Sequence, residues 1–489
     1  MTEKNYSSIK KMLLLFILVS LFAYVAIRSN VLSFTHDECL SFDIIRGDVD
    51  RANTANNHLL NTWLMSQSYY YFGGEAFYLR LPNLLAFLVY LFFSYKILIK
   101  STSIPLMVLG VSLLLFNPYL LDFFSLARGY GLSMGFGLAA LYFLVKPIPV
   151  GFRQYITNIF MALGFALLAA YSNLICVNLV ITAMAVYTVE LFFLSREQRF
   201  TVQAKRWAVL GLACTMSILF MVKLIQHLFM LKEHNELYFG GPNNFYDDTL
   251  KSIIKSSLYF NEYGEGVSMI FRISCVVLFV IGIVYQFFNH KNVQLLKVSA
   301  ALMLMILATI VQHYAFDALY PGVRTALIFL PLYALFCYFL VCAWYEQWSE
   351  SKKTKISFGL FLLVALCLPI GWHFIKNVNV DYVNEWKYDS GTKEIMNMIR
   401  EKYAHESNVA QTISISNSWV FEPSINYYRN LYAMDYLAPA NREGINCNSN
   451  FVYCLKEERD TLSNINDYTV IKEEYAADAL LLQRKAFMK

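Results

Sequence analysis

Charge is what this sequence has least of: 15% of its 489 residues are Asp, Glu, Lys or Arg, against 57% that are hydrophobic. A water-soluble chain of that length needs many more charges to cover its surface, so a soluble globular protein is excluded. The charge that is present is nearly balanced, and a net +5 is too mild to argue for nucleic acid as a partner. The nine cysteines show no metal-ligand spacing, and no D-x-D or H-x-x-H cluster makes a convincing metal cage. Six of them (Cys176, Cys214, Cys275, Cys337, Cys342, Cys367) lie inside apolar blocks, where small, soft side chains commonly pack. Internal repeats and low-complexity segments are absent as well.

What is present is apolar sequence in blocks of about 20 residues, the length that crosses a bilayer as a helix. Backbone polar groups in lipid must be satisfied internally, so the blocks are expected to be helical. Eleven spans are predicted, at 12–32, 80–99, 104–121, 126–145, 156–172, 174–194, 207–230, 268–288, 295–315, 323–345 and 356–375. The first is too long and uninterrupted for a cleaved signal peptide, and is expected to remain as an anchor. Lysine and arginine collect in alternate short loops: Lys96 and Lys100, Lys146 and Arg153, Arg196 to Arg206, Lys291 and Lys297, and Lys352 to Lys355. These share a side with the N-terminus, which places that side in the cytoplasm and the C-terminus outside. The outer side then holds a long loop at 33–79, another at 231–267 and the tail from 376. Residues 1–375 read as a polytopic membrane domain. Residues 376–489 read as a small extracytoplasmic α/β domain, with a helical pattern at 390–404 and strands at 409–415, 451–455, 468–475 and 479–484. In that tail Cys447 and Cys454 are a candidate disulfide if they face an oxidising space.

The first outer loop carries the most chemistry. It opens Phe34-Thr35-His36-Asp37-Glu38 directly after the first span, which sets two adjacent carboxylates at the membrane surface. A solvated acidic loop is the plain reading of such a pair. Its company is more specific: Asn57-His58-Leu59-Leu60-Asn61-Thr62-Trp63 follows, then Phe72-Gly73, then Arg80-Leu81-Pro82-Asn83 at the start of the second span.

A D-E pair after the first span, an N-H-x-L element and R-L-P at the second span resemble the dolichyl-phosphate-mannose mannosyltransferase and aminoarabinose transferase superfamily, whose members have the C-type membrane glycosyltransferase fold. Asn117-Pro118 through Arg128-Gly129-Tyr130 resembles that family's R-x-Y segment. Arg324 followed by Pro331 resembles its R-Y-x-x-x-x-x-P element, with Thr325 in place of the tyrosine. The resemblance covers the first 145 residues or so by motif and the rest by topology. Two departures stand out. Leu59 and Leu60 follow His58 where members commonly carry proline, and the W-W-D-Y-G signature of oligosaccharyltransferases is missing, Trp386-Lys387-Tyr388-Asp389 being only an echo of it.

The resemblance implies an all-α multi-span domain and a polyprenyl-phosphate-linked sugar as donor, with a lipid, glycan or protein as acceptor. An acceptor hydroxyl must lose a proton, which a carboxylate within reach can take. By its match to the family's first acidic position, Asp37 is the candidate general base, and Glu38 would orient the acceptor or hold a partner cation. One base and one attacking hydroxyl imply inversion. The donor phosphate calls for cations, and Arg128 and Arg324 are the candidates, each with an alternative as a snorkelling interfacial arginine. His58, Arg80, Asp122, Tyr130 and Lys223 complete the candidate binding set. His58 either contacts phosphate or acceptor or caps the helix at 58–72. Asp122 is a second acid or simply pairs with Arg128. Lys223 shares a helix face with His227 and is either functional or snorkelling. No metal is assigned, the one candidate being a divalent ion loosely held by Asp37 and Glu38. The tail acids Asp381, Asp389 and Glu422 read as ordinary surface. The alternative function is a glycan polymerase or ligase, or a lipid-linked glycan flippase that needs no base; a structural membrane protein with an outer domain is a third reading. The expected location is the bacterial inner membrane.

Overall fold

The structure is a computed structural model, and it describes residues 3–147, 149, 151–194, 200–261, 263–288, 292–347, 352–403, 412–446, 448–461 and 465–487. Helix α1 (Glu3–Val31) is the first span, and a short break leads into α2 (His36–Ile45), α3 (Val49–Ala52) and α4 (Leu59–Phe72) of the loop expected to be the first outer one, a label kept below for that segment. Helices α5 (Ala76–Leu98), α6 (Ile104–Leu115), α7 (Pro118–Phe124), α8 (Gly129–Leu144), α9 (Phe152–Ser172), α10 (Val177–Leu194) and α11 (Phe200–Glu233) follow. After the loop expected to be the second outer one, which contains α12 (Lys251–Ser257), come α13 (Glu265–Phe288), α14 (Val293–Phe316), α15 (Phe329–Gln347), α16 (Lys352–Leu362) and α17 (Leu368–Asn377).

Among the described residues nine helices are long and apolar enough to cross a membrane. The other two predicted spans take different forms. The one at 104–121 is the pair α6 and α7, bent by 60°. Asn117 explains the break: its backbone is extended, as a residue before proline prefers, and its side chain accepts from Leu120 N–H at 3.1 Å to start α7. The one at 126–145 is the 16-residue α8, nearly all of it buried against neighbours. The chain is an integral membrane protein, and its apolar surface faces outward as lipid requires: Phe287 and Phe288 are each 75% exposed.

The tail forms α18 (Thr392–Tyr403), α19 (Glu422–Leu431) and a four-stranded sheet of β1 (Ile415–Asn417), β2 (Phe451–Leu455), β3 (Tyr468–Glu474) and β4 (Ala479–Arg484). The strand order is β1-β2-β4-β3, with β1 parallel to β2 and the other pairings antiparallel. Three strands lie where predicted. The one expected at 409–415 begins instead at Ile415, with Ile413 making an isolated bridge to Leu437, and residues 404–411 fall outside the described set. Cys454 packs under the sheet with Val452, Leu480 and Leu482; its expected pairing with Cys447 lies outside the described residues. The tail shares one core with the first outer loop: Phe34, Cys39, Phe42, Met65 and Leu79 cluster with Ile395, Phe421, Tyr427 and Tyr453. That shared core brings tail side chains up to the start of α2.

Candidate active site

Glu38 sets the geometry. Thr35-His36-Asp37-Glu38 is a helix-start pattern, and the Glu38 carboxylate accepts Thr35 N–H at 2.9 Å and Thr35 Oγ1–H at 3.0 Å, which fixes the first turn of α2. The same carboxylate takes a two-pronged contact from Arg80, Nε at 2.8 Å and Nη2 at 2.7 Å, and accepts Ala127 N–H at 2.6 Å. The remaining Arg80 donors go to the backbone oxygens of Ser29, Leu32 and Ser33. Both side chains are fully buried. Arg80 and Glu38 therefore tie the end of α1, the start of α2, the top of α5 and the turn before α8 into one knot, and have no donor or lone pair to spare.

That knot holds the turn carrying Arg128. Asn61 Nδ2 donates to Ala127 O at 2.9 Å, and Asn83 Nδ2 donates to Asn61 Oδ1 at 2.9 Å, so the motif segments around His58, Arg80 and Arg128 meet. Gly129 must be glycine here: a Cβ would stand 2.0 Å from Ser172 O and 2.7 Å from the His58 side chain.

Asp37 projects from the first turn of α2 toward two guanidiniums. Its Oδ2 lies 3.5 Å from Arg128 Nη2 and 3.5 Å from Arg324 Nη2, the first from the turn before α8 and the second from a short 3₁₀ turn ahead of α15. At that distance the contacts are charge pairs and not hydrogen bonds. Asp37 Oδ2, Arg128 Nε, Arg324 Nε and His58 Nε2 are all buried polar atoms without a hydrogen-bond partner. Such groups are costly in a protein interior unless a ligand meets them. Burial alone would raise the Asp37 carboxyl, but the charges of Arg128 and Arg324, with His36 and a hydrogen bond from Trp386, outweigh it and hold the carboxyl below the usual range. Burial and then the same two arginines push the His58 imidazole well below its ordinary value, so it is neutral. His58 does occupy the N-cap position of α4, but its side chain makes no capping hydrogen bond. Its ring packs edge-on against Tyr130 at 4.7 Å.

Each guanidinium is braced from a second side. Arg128 Nη1 donates to Ser41 Oγ at 2.7 Å and Nη2 to Asn56 Oδ1 at 2.5 Å. Arg324 pairs with Glu385 at 2.6 Å, and its guanidinium lies over the rings of Phe239 at 4.2 Å and Trp386 at 5.2 Å. Glu385 also accepts Tyr119 O–H at 2.7 Å. Thus the first outer loop, the second outer loop through Phe239, and the start of the tail converge on one place.

Several expectations change. Asp122 does not pair with Arg128: it forms a fully buried pair with Arg28 of α1 at 2.6 Å, and Tyr259 O–H donates to it at 3.0 Å. An arginine within a span was the available signal, since such a residue seeks a partner among neighbouring helices. Lys223 is exposed on α11, and no hydrogen bond or ion pair among the described residues joins it to the cluster. Two of the three tail acids are not ordinary surface. Asp389 is fully buried, accepts His36 N–H at 2.6 Å and Ser424 Oγ–H at 2.7 Å, and is pushed up to about 8, chiefly by burial. Glu422 holds Arg442 at 3.0 Å, while Asp381 is exposed. Trp386 and Glu385 are both at the site; Trp386 drew notice only as part of an echo of a missing signature, and Glu385 carries no motif at all. As for a metal, the described residues contain no group of three or more His, Cys, Asp or Glu set to hold one, and the carboxylates of Asp37 and Glu38 are turned to guanidiniums.

No protein-family model matches this chain, and no curated protein sequence does. Its architecture is nevertheless that of the C-type membrane glycosyltransferase fold. Among solved structures it is similar to ArnT from Cupriavidus metallidurans bound to undecaprenyl phosphate, with a TM-score of 0.50, 10% identity, and coverage of 96% of this chain and 97% of that one. The apo state of the same protein gives the same values. At that identity the likeness is one of fold.

Proposed function

We propose that the chain is an integral membrane glycosyltransferase that moves a sugar from a polyprenyl-phosphate donor to an acceptor hydroxyl at the extracytoplasmic face. The observation that carries the reading is the meeting of Asp37 with Arg128 and Arg324, where Asp37 Oδ2, the Nε of each arginine and His58 Nε2 are buried with no hydrogen-bond partner. The fold supports it, because the ArnT structure of the same architecture holds undecaprenyl phosphate.

The two arginines bind the donor's phosphodiester. The acceptor oxygen attacks the anomeric carbon, its proton passes to Asp37, and the bond from that carbon to the phosphate oxygen breaks with its electron pair. The products are the inverted glycoside and the polyprenyl monophosphate. The leaving phosphate gains negative charge as the bond breaks, so the guanidiniums hold the transition state more tightly than the donor. Asp37 is ionised and ready, though a depressed carboxyl is a weak base. A phosphate that shares Arg128 and Arg324 draws positive charge from Asp37 and raises its basicity as the donor seats. His58, neutral and with a free Nε2, lies against Tyr130 where it can meet donor or acceptor. The tail acts as an accessory domain whose Glu385 and Trp386 position Arg324. The protein resides in the bacterial inner membrane with its N-terminus in the cytoplasm.

The test is transfer from radiolabelled polyprenyl-phosphate sugars to membrane extracts by the purified chain. Label that moves with the wild type and not with Asp37→Asn supports the reading, whereas transfer undiminished by that change removes Asp37 as the base. A polymerase, ligase or flippase would leave label on the donor lipid in both proteins.

A further inference from the structure

At the far end of the helix bundle from Asp37, basic residues from separate loops close around a cavity. Helix α5 carries Arg80 near one end and Lys96 in its last turn, 16 residues on, which at 1.5 Å per residue is about 24 Å along the axis, most of a bilayer's hydrocarbon. There a cavity of about 150 Å³ is lined by Lys96, Lys100, Lys146, Ser101, Asn292 and Glu346, among others. Lys100 and Lys146 share one aromatic ring, their ammoniums 5.9 Å and 4.1 Å from the centre of Tyr142. Lys146 also lies 4.3 Å from the ring centre of Phe143. None of the three lysines makes an ion pair among the described residues, although elsewhere at this end Lys297 has found Glu190 at 2.6 Å. Burial, and then the charges of Lys100 and Lys96, push the Lys146 ammonium down. Three ammoniums against the one carboxylate of Glu346 leave this partly enclosed polar cavity with an excess of positive charge, which a bound anion relieves.

We infer that this cavity binds a phosphate group, supplied by the headgroup of an anionic membrane lipid, with Lys96, Lys100 and Lys146 as its cationic ligands. A single water needs about 10–15 Å³ of such space, so the volume admits a phosphate with its ester oxygens. A site about 24 Å along α5 from Arg80 suits the depth of a lipid headgroup, and basic residues clustered at the end of a span attract anionic lipid. The chemistry is distinct from that at Asp37 and does not depend on it.

The full-length protein in neutral detergent is titrated with phosphatidylglycerol, phosphatidylcholine or inorganic phosphate, following the melting midpoint and lipid retention by native mass spectrometry. Phosphatidylglycerol is expected to raise the midpoint and stay bound, phosphatidylcholine to do neither, and the Lys96→Gln/Lys100→Gln/Lys146→Gln variant to need at least tenfold more lipid for the same shift. Should inorganic phosphate match phosphatidylglycerol at equal concentration with the same lysine dependence, the anion site stands and its source is soluble phosphate. Equal responses from variant and wild type, or no response to either anion, overturn the inference. If the triple variant does not fold, Lys146→Gln alone is read by the same criteria.

Discussion

Asp37 Oδ2 stands 3.5 Å from Arg324 Nη2, two residues 287 positions apart in the chain and held on different segments. An acid this close to a guanidinium that also has an unused Nε is not a closed structural pair of the kind Glu38 and Arg80 make. If Asp37 takes the acceptor's proton, Asp37→Asn lowers kcat by about 10²–10⁴, the range for loss of a general base. Donor binding survives, because removing the negative charge leaves both guanidiniums free for phosphate. Transfer assays paired with donor-binding isotherms check this, and a fall in affinity without a fall in turnover contradicts it.

Arg324→Lys and Arg128→Lys separate charge from shape. A lysine keeps the positive charge but loses the planar fork and the stacking that Arg324 has on Phe239 and Trp386. Hydrogen bonds to charged groups contribute about 1.5–3 kcal/mol each, so each change lowers kcat/KM roughly tenfold to hundredfold, through kcat as well as the donor's KM. Glu385→Gln acts more mildly, since it loosens Arg324 without removing it. Steady-state kinetics across donor concentrations distinguish the three.

Glu38 and Arg80 predict a different phenotype. Breaking a buried ion pair by removing one partner costs about 3–5 kcal/mol. Glu38→Gln and Arg80→Met are therefore expected to lower the melting midpoint sharply, and Arg28→Met to do the same by stranding Asp122. Whatever folded fraction survives at low temperature retains turnover per folded molecule better than Asp37→Asn does. A Glu38→Gln protein of wild-type stability that fails to transfer sugar would move Glu38 from framework to chemistry.

What was legible in the sequence follows from how local each signal is. Apolar blocks of span length found the membrane helices, because lipid imposes that length on each helix separately. Asp37, Arg128 and Arg324 were legible because each sits at a span boundary within a short motif. Glu38 was half legible: Thr35-x-x-Glu38 marks a helix start, which accounts for part of its work, while Arg80 and Ala127 come from elsewhere. Glu385, Trp386 and Asp389 were not legible. They reach the site only because the tail and the first outer loop share a core, and no periodicity records a contact between residues 350 apart. Arg28 and Asp122 failed for the same reason, as a pair across two helices whose nearest alternatives in sequence were misleading.

The pH dependence of kcat/KM reports the free enzyme. Asp37 is held below the ordinary carboxylate value of 3.8, so it stays ionised throughout the neutral range. On acidification kcat/KM is expected to hold until the pH falls beneath that of an ordinary aspartate. Stability follows the same sign: a depressed carboxyl adds stability above its unfolded value, and that part is lost as the pH falls through the folded one. A loss of kcat/KM centred near pH 6 would assign the base to another group.

Asp389 behaves in the opposite sense, and its test is independent of turnover. Its carboxyl is pushed up to about 8 from an ordinary 3.8, chiefly by burial, with the charges of Asp37 and Glu38 adding to the rise. Between those two values the folded protein holds a proton that the unfolded chain has released. Rising pH therefore costs folding stability across that window and costs nothing further above it. Asparagine imitates the protonated form: its carbonyl oxygen can accept His36 N–H, and its amide can donate to Ser424 Oγ. Asp389→Asn is expected to flatten the decline of the melting midpoint from pH 4 to pH 8 and to overtake the wild type at the upper end. Because His36 directly precedes Asp37, the substitution should leave the first turn of α2 in place and sugar transfer largely intact at neutral pH. Parallel melting curves for the two proteins would mean that Asp389 is ionised in the fold, and that the His36 and Ser424 donors compensate its burial in full.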